Sequence, residues 1–587
     1  MLSHQKIVEE PAREHGPTLP PTSLPWLAFV LLALGALAFG VFAFSQQTFH
    51  GFILTGLRNQ GYGSGGWGLY IVFDVFFVGV SFAGITVAAI CRLFEIEILR
   101  PITRIAELLT ITALLAGAGV VVADLGRPFE GLTRLPRFAN PSSPFYGTFT
   151  LVVAGYMFSS LVYFFLAGRA DAAALARTVQ GPSRLFYALW ASGFDDKPSE
   201  RARHHRNSFF LALTILPLLV TAHSTLGFIF GLQSGRPGWF SALMAPGFVI
   251  LAGVSGTGIL IVLALAYRRL FRLHDKMPDS AFRWLGNFLW ILALVYIYFT
   301  IADELTATYA GPVADRELAH EIVGGAFAPH FWTFAICLFL TFLIPFLMYL
   351  SGRTSVAGLV AAGLLANVAA VLKRFLIVVP SQTHGALLPI EPPKMYSPTW
   401  VEYGVILGLI GLIFVAQLVF GRFFPLVPSA HGHGKAPAKP ELARRFASLV
   451  TALTAVGLIV VGLTDSFRLW SHGEIDPRIP FSPVIFASGV MLLFISAVVY
   501  EVFPERRPSD REMWREQKLA LSGASLPWQP GRAPPAPTEP IRPADVHALA
   551  RLIRAAEESI GKADDRRTRQ IVGEVARLAS ALGDPLD

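Results

Sequence analysis

The chain has 587 residues, 53% of them apolar and only 15% charged, with a net charge of +8 and a mean hydropathy of +0.54. Soluble domains are about one quarter charged, so a string of water-soluble domains is excluded, and the positive charge reads as basic loops beside a membrane rather than a nucleic-acid surface. Two cysteines, Cys91 and Cys337, are too few for an iron–sulfur cluster or a Cys-rich zinc site.

Residues 1–23 are a polar, proline-rich segment. The apolar run from Trp26 to Phe44 follows it with no basic region before and no small-residue cleavage site after, so a retained helix is expected. Further runs of membrane-spanning length follow. The expected spans are about 24–46, 68–92, 102–123, 147–168, 208–232, 240–267, 284–310, 327–350, 355–379, 400–424, 446–465 and 482–503. The fold class is therefore all-α, a polytopic transmembrane helical bundle of about 12 spans. The chain divides into a transmembrane core at 24–425, a loop at 426–445, two additional helices at 446–503 and a tail at 504–587. The tail begins as a Pro- and Arg-rich linker and ends in amphipathic helix, with Val546, Leu549, Leu552 and Ile553 on one face.

Connections following even-numbered spans carry about twice the Lys and Arg of the others. The positive-inside rule then places both termini in the cytoplasm of a bacterial inner membrane.

An ionisable side chain inside a span is costly and is a functional candidate by default. On this topology Asp74, Asp124, His223, Asp303, Glu304, Lys373 and Arg374 all fall in the periplasmic third, and Glu107 lies near the cytoplasmic end of span 3. Quinol oxidation suits such a cluster. A quinol releases two protons with two electrons, so it needs a hydrogen-bonding partner for its oxygens and carboxylates to carry protons to water. Each residue also has a purely structural reading. Asp124 precedes Gly126 and Pro128, ordinary helix-stop chemistry, where Arg127 would cap carbonyls. His223 could be a satisfied packing histidine. Lys373 and Arg374 could snorkel, and Arg104 with Glu107 could be a helix-surface pair.

A b-type haem needs two axial ligands from facing helices. Only His223 lies clearly within a span, with His330 near the start of another and His384, His431 and His433 in loops. No haem, iron–sulfur cluster or metal is expected in this chain. No Walker motif, dinucleotide fingerprint or Ser-His-Asp signature is present either.

Several short blocks, in order, carry a resemblance. They are Gly66-Trp-Gly-Leu-Tyr70, Phe73-Asp-Val-Phe-Phe-Val-Gly79, Arg104-Ile-Ala-Glu-Leu-Leu-Thr110, Ala123-Asp-Leu-Gly-Arg-Pro128, Asn140-Pro-Ser-Ser-Pro144, Ala222-His-Ser224, Ala302-Asp-Glu304, Lys373-Arg-Phe375 and Met395-Tyr-Ser-Pro-Thr-Trp400. Over roughly 65–425 the chain resembles the NrfD/PsrC-like family, the polysulfide-reductase membrane subunits, and most of all the large quinone-binding subunits of alternative complex III. The resemblance implies two four-helix bundles and a haem-free subunit that binds menaquinone or ubiquinone near the periplasmic face. It implies electron exchange with a periplasmic iron–sulfur protein, beside molybdopterin-like or multihaem cytochrome c subunits and other membrane subunits. By resemblance, Asp124, His223 and Glu304 are the catalytic candidates. Asp74, Arg127 and Asp303 would complete the quinone site, and Glu107, Asp303, Glu304, Lys373 and Arg374 a proton path. The rival readings are an ion or solute transporter that uses the same charges, and a membrane anchor without chemistry.

Overall fold

The computed structural model describes residues 23–57, 66–138, 155–195, 197–383, 396–428, 442–472 and 482–502. The Asn140 block, His384, Lys394, His431, His433 and the C-terminal tail lie outside them. All regular structure among the described residues is helical. The long helices are α1 (Leu24–His50), α2 (Leu69–Leu93), α3 (Arg100–Asp124), α4 (Phe158–Thr178), α5 (Pro198–Gly231), α6 (Met244–Leu270), α7 (Asp279–Ala310), α8 (Ala328–Ser351), α9 (Val356–Val378), α10 (Trp400–Phe423), α11 (Leu442–His472) and α12 (Ser482–Val502). Among the described residues eleven stretches are long and apolar enough to cross a membrane, and α11 carries a shorter apolar stretch, Phe446–Gly462. The chain is a multi-pass integral membrane protein, as its sequence indicates.

The helix ends follow from local chemistry. Ser23 accepts the Trp26 N–H and starts α1; Ser355 does the same for Gly358 at α9. Thr399 and Glu402 form a reciprocal capping box at α10. After Asp124 the chain leaves α3 through Gly126, whose φ of 72° is the left-handed conformation that glycine tolerates best. Three short helices between the spans, Pro128–Phe138, Ser183–Ala191 and Val313–Val323, were not anticipated by the run of apolar residues. In the second, Trp190 stacks on Phe424 with ring centroids 4.4 Å apart.

Two four-helix bundles emerge from the packing. In the first, α2 and α4 each pack on α3 and α5; in the second, α6 and α8 each pack on α7 and α9. Helix α2 also packs on α6 and α9 and so joins the bundles. It is buried almost throughout its length. Helices α1 and α10 pair with each other and lie on α3, while α11 and α12 pair and lie on α4 and α5. The α1–α10 crossing is close because both helices present glycine: a Cβ on Gly40 would stand 2.3 Å from Gly408 Cα. In a bilayer such small-residue seams supply the van der Waals contact that holds helices together.

Candidate functional site

Asp74 lies in the second turn of α2 and Asp124 closes α3, so neighbouring antiparallel helices bring both to one end of the first bundle. They are within Coulombic reach of each other, and Asp74 Oδ1 faces Gly117 of α3. Tyr70 stands one turn before Asp74 and donates to Gln47 Oε1 at 2.5 Å. Gln47, only 2% exposed, donates in turn to the Ala123 carbonyl at 2.7 Å, next to Asp124.

Beyond Tyr70 lies Glu402, fully buried at the start of α10. Its Oε2 accepts the Gly56 N–H at 2.8 Å and the Thr399 N–H at 3.0 Å, and its Oε1 accepts the Tyr396 hydroxyl. Tyr396 also accepts the Leu69 N–H at 2.7 Å, at the open end of α2. Burial, with the Glu402 carboxylate beside it, pushes the Tyr396 phenol above its ordinary value, so it remains the donor in this pair. Sequence reasoning missed these residues. The Thr399-x-x-Glu402 capping box was readable, whereas Gln47 lay just past the expected end of span 1.

A second group sits at the same end of the other bundle. Lys373 Nζ is 3.8 Å from Glu304 Oε1, and Ser241 donates to Asp303 Oδ1 at 3.0 Å. Arg374 crosses from α9 toward α2, where its guanidinium lies 5.7 Å from the Phe76 ring centroid. Lys373 and Arg374 are 9% and 2% exposed, so neither snorkels.

The expectation of one shared pocket is therefore corrected. At about 100° per residue, Asp74 is turned roughly 200° from Phe76 and 140° from Gly79, the α2 residues that meet Arg374. The two groups flank α2 on opposite faces.

His223, 1% exposed, is spent between them. Its Nδ1 is 2.9 Å from the Leu219 carbonyl and its Nε2 is 2.9 Å from the Val78 carbonyl, a tie from α5 to α2. Arg127 stands apart: its side chain is 82% exposed and its nearest carboxylate is Glu130, at 3.6 Å. The expected Arg104–Glu107 surface pair is also corrected. Arg104 pairs with Asp171 of α4 at 2.6 Å and Glu107 with Arg92 of α2 at 3.0 Å, and all but Arg92 are nearly fully buried. Glu107 lines a cavity of about 920 Å³ at the opposite end of the first bundle, together with Arg92, Arg104, Asp171 and His204. Among the described residues no group of three His, Cys, Asp or Glu side chains could hold a metal ion.

A profile of the family described as polysulphide reductase, NrfD, matches residues 58–386, more than half of the chain. The chain belongs to the NrfD family. It is 32% identical to a membrane subunit of dimethyl sulfoxide reductase from Halobacterium salinarum over 45% of this chain and 57% of that one. The match therefore spans little more than half of that relative. A selenate reductase subunit from Mesobacillus selenatarsenatis is 26% identical over 62% of this chain and 85% of its own. The Hdr-like menaquinol oxidoreductase integral membrane subunit of Archaeoglobus fulgidus is 23% identical over the same shares. The matched family region contains both charged groups and His223, while Glu402 and α10–α12 lie beyond it.

Proposed function

We propose that this NrfD-family chain is the quinone-reactive membrane subunit of a respiratory oxidoreductase. It oxidises quinol, or reduces quinone in the reverse direction, at the end of the first bundle that carries Asp74 and Asp124. The observation that carries this reading is the meeting of two intramembrane carboxylates from α2 and α3 beside the Tyr70–Gln47 hydrogen bond. Carboxylates in a span are expensive and are kept where protons or ions move. Support also comes from the archaeal relative, which is named as a menaquinol oxidoreductase integral membrane subunit.

In this reading a quinol, QH2, becomes Q by releasing two protons and two electrons. Asp124 and Asp74 accept the protons in turn and pass them to water at the bundle end. Both electrons leave to an iron–sulfur partner protein docked on the same face, which the positive-inside rule makes periplasmic. His223 acts at one remove, by fixing α2 against α5. Asp303, Glu304, Lys373 and Arg374 form a proton route on the far side of α2, and Glu107 serves the opposite, cytoplasmic face.

The test is Asp124→Asn in the assembled complex. Quinol-dependent turnover should fall at least about tenfold, the order of a general acid–base contribution or less, while the partners still co-purify. Undiminished turnover would remove Asp124 from the chemistry.

A further inference from the structure

Helix α12 is clamped onto α5 by a buried polar knot. Glu501, 2% exposed, receives Asn207 Nδ2 at 2.7 Å on one oxygen. Its other oxygen is 2.7 Å from His204 Nδ1 and 3.1 Å from Arg169 Nη1. Asn207 also donates to the Ala497 carbonyl at 3.1 Å. The register between the two helices is thereby set immediately beside Arg206 and Tyr500.

Those two residues stand at the mouth of a groove of about 360 Å³. Its walls are Phe210 and Leu211 of α5 and Leu493, Phe494 and Ala497 of α12. From Arg206 to Thr214 on one wall is about 12 Å at 1.5 Å per residue, and from Tyr500 to Leu493 on the other is nearly the same. The groove thus runs parallel to the helices. Its mouth is at headgroup level: the 32-residue stretch Glu200–Gly231 exceeds the roughly 20 residues a hydrocarbon core needs, and Tyr500 lies in the last turn of α12. A slot of this volume is too narrow for a helix, which needs about 10–12 Å across with its side chains, but accepts a single hydrocarbon chain.

The charge at the mouth selects the headgroup. Arg206 is exposed, and among the described residues it makes no ion pair, since Glu501 is already held by Arg169 and His204. It also borders the 920 Å³ cavity, where Arg201 and His205 share its helix and Glu95 and Glu97 lie on the other side. A basic residue at the interface above an apolar groove between spans is the arrangement that attracts acidic lipid headgroups.

We infer that the α5–α12 groove holds one acyl chain of an anionic glycerophospholipid, with Arg206 taking the headgroup phosphate. The lipid staples the α11–α12 pair, which lies outside the family match, to the first bundle.

The test uses the detergent-purified full-length protein, delipidated and then supplied with dioleoyl-phosphatidylglycerol, dioleoyl-phosphatidylcholine or inorganic phosphate. A ligand that binds only the folded state raises the unfolding midpoint. Phosphatidylglycerol should raise it by several degrees, and the other two by less than one degree. Arg206→Gln and Ala497→Phe, which fills the groove, should each abolish that difference, and Arg206→Lys should keep most of it. Native mass spectrometry of the same samples counts retained lipid without reference to stability. Equal effects of the two lipids, a shift produced by phosphate alone, or a phosphatidylglycerol effect that survives in either Arg206→Gln or Ala497→Phe would overturn the proposal. A groove filled by the chain's own residues after 502 would give the first of these results.

Discussion

The guanidinium of Arg374 occupies the space that a side chain at position 79 would take: a Cβ on Gly79 would stand 2.2 Å from Arg374 Nη2. Two helices from different bundles meet there, and the glycine is what admits the cation. Gly79→Ala should displace the guanidinium and cost about 1–3 kcal/mol, the usual range for overpacking a filled interior. Arg374→Met in the same chain should recover part of that loss. A double-mutant cycle on detergent-solubilised protein measures the coupling, and a value near zero would mean that the two residues do not share the space.

His223 has both ring nitrogens on backbone carbonyls. If its role is to tie α5 to α2, His223→Phe should lower the unfolding midpoint, by an equivalent of about 1–3 kcal/mol for leaving a buried polar group without its partner. Quinol KM, measured on the fraction that remains folded, should change little. A large rise in KM with unchanged stability would instead put the imidazole on the substrate.

Glu402 differs from Asp124 in how its oxygens are used. Two backbone N–H groups and a phenol converge on it, so its charge is consumed in holding the 51–57 loop, α2 and α10 together. Glu402→Gln turns an NH2 toward one of these donors. It should cost about 2–3 kcal/mol, the scale of hydrogen bonds to a charged group, while turnover per folded molecule stays near that of the parent. Circular dichroism melts together with quinol turnover separate this outcome from the Asp124→Asn result, where turnover falls and stability holds.

The depth of the charged residues was legible in the sequence, because position along a span converts directly to height in the bilayer. Their azimuth was not. An amphipathic helix announces its buried face by a polar stripe, but α2 is buried on nearly every side and carries no such stripe. Nothing in its sequence therefore told that Asp74 and the Arg374 contact point in opposite directions. The capping and stop signals at Thr399, Glu402 and Gly126 were local and readable. Partners such as Gln47 for Tyr70, or Glu501 for Arg169 across 332 positions, exist only once the helices are assembled.

Arg127 closes the series as the negative case. The Ala123–Pro128 block places it one helix turn from Asp124, yet its side chain is 82% exposed and its contact with Glu130 is 3.6 Å long across two exposed groups. Exposed ion pairs contribute about 0–1 kcal/mol. Arg127→Gln should therefore leave both the unfolding midpoint and quinol turnover close to the parent values. A fall in turnover without loss of the folded fraction, measured in the assembled complex, would instead mean that a partner or substrate brings the guanidinium to the Asp124 end. A fall that vanishes when the isolated electron-accepting partner is supplied in excess would assign Arg127 to docking rather than to chemistry.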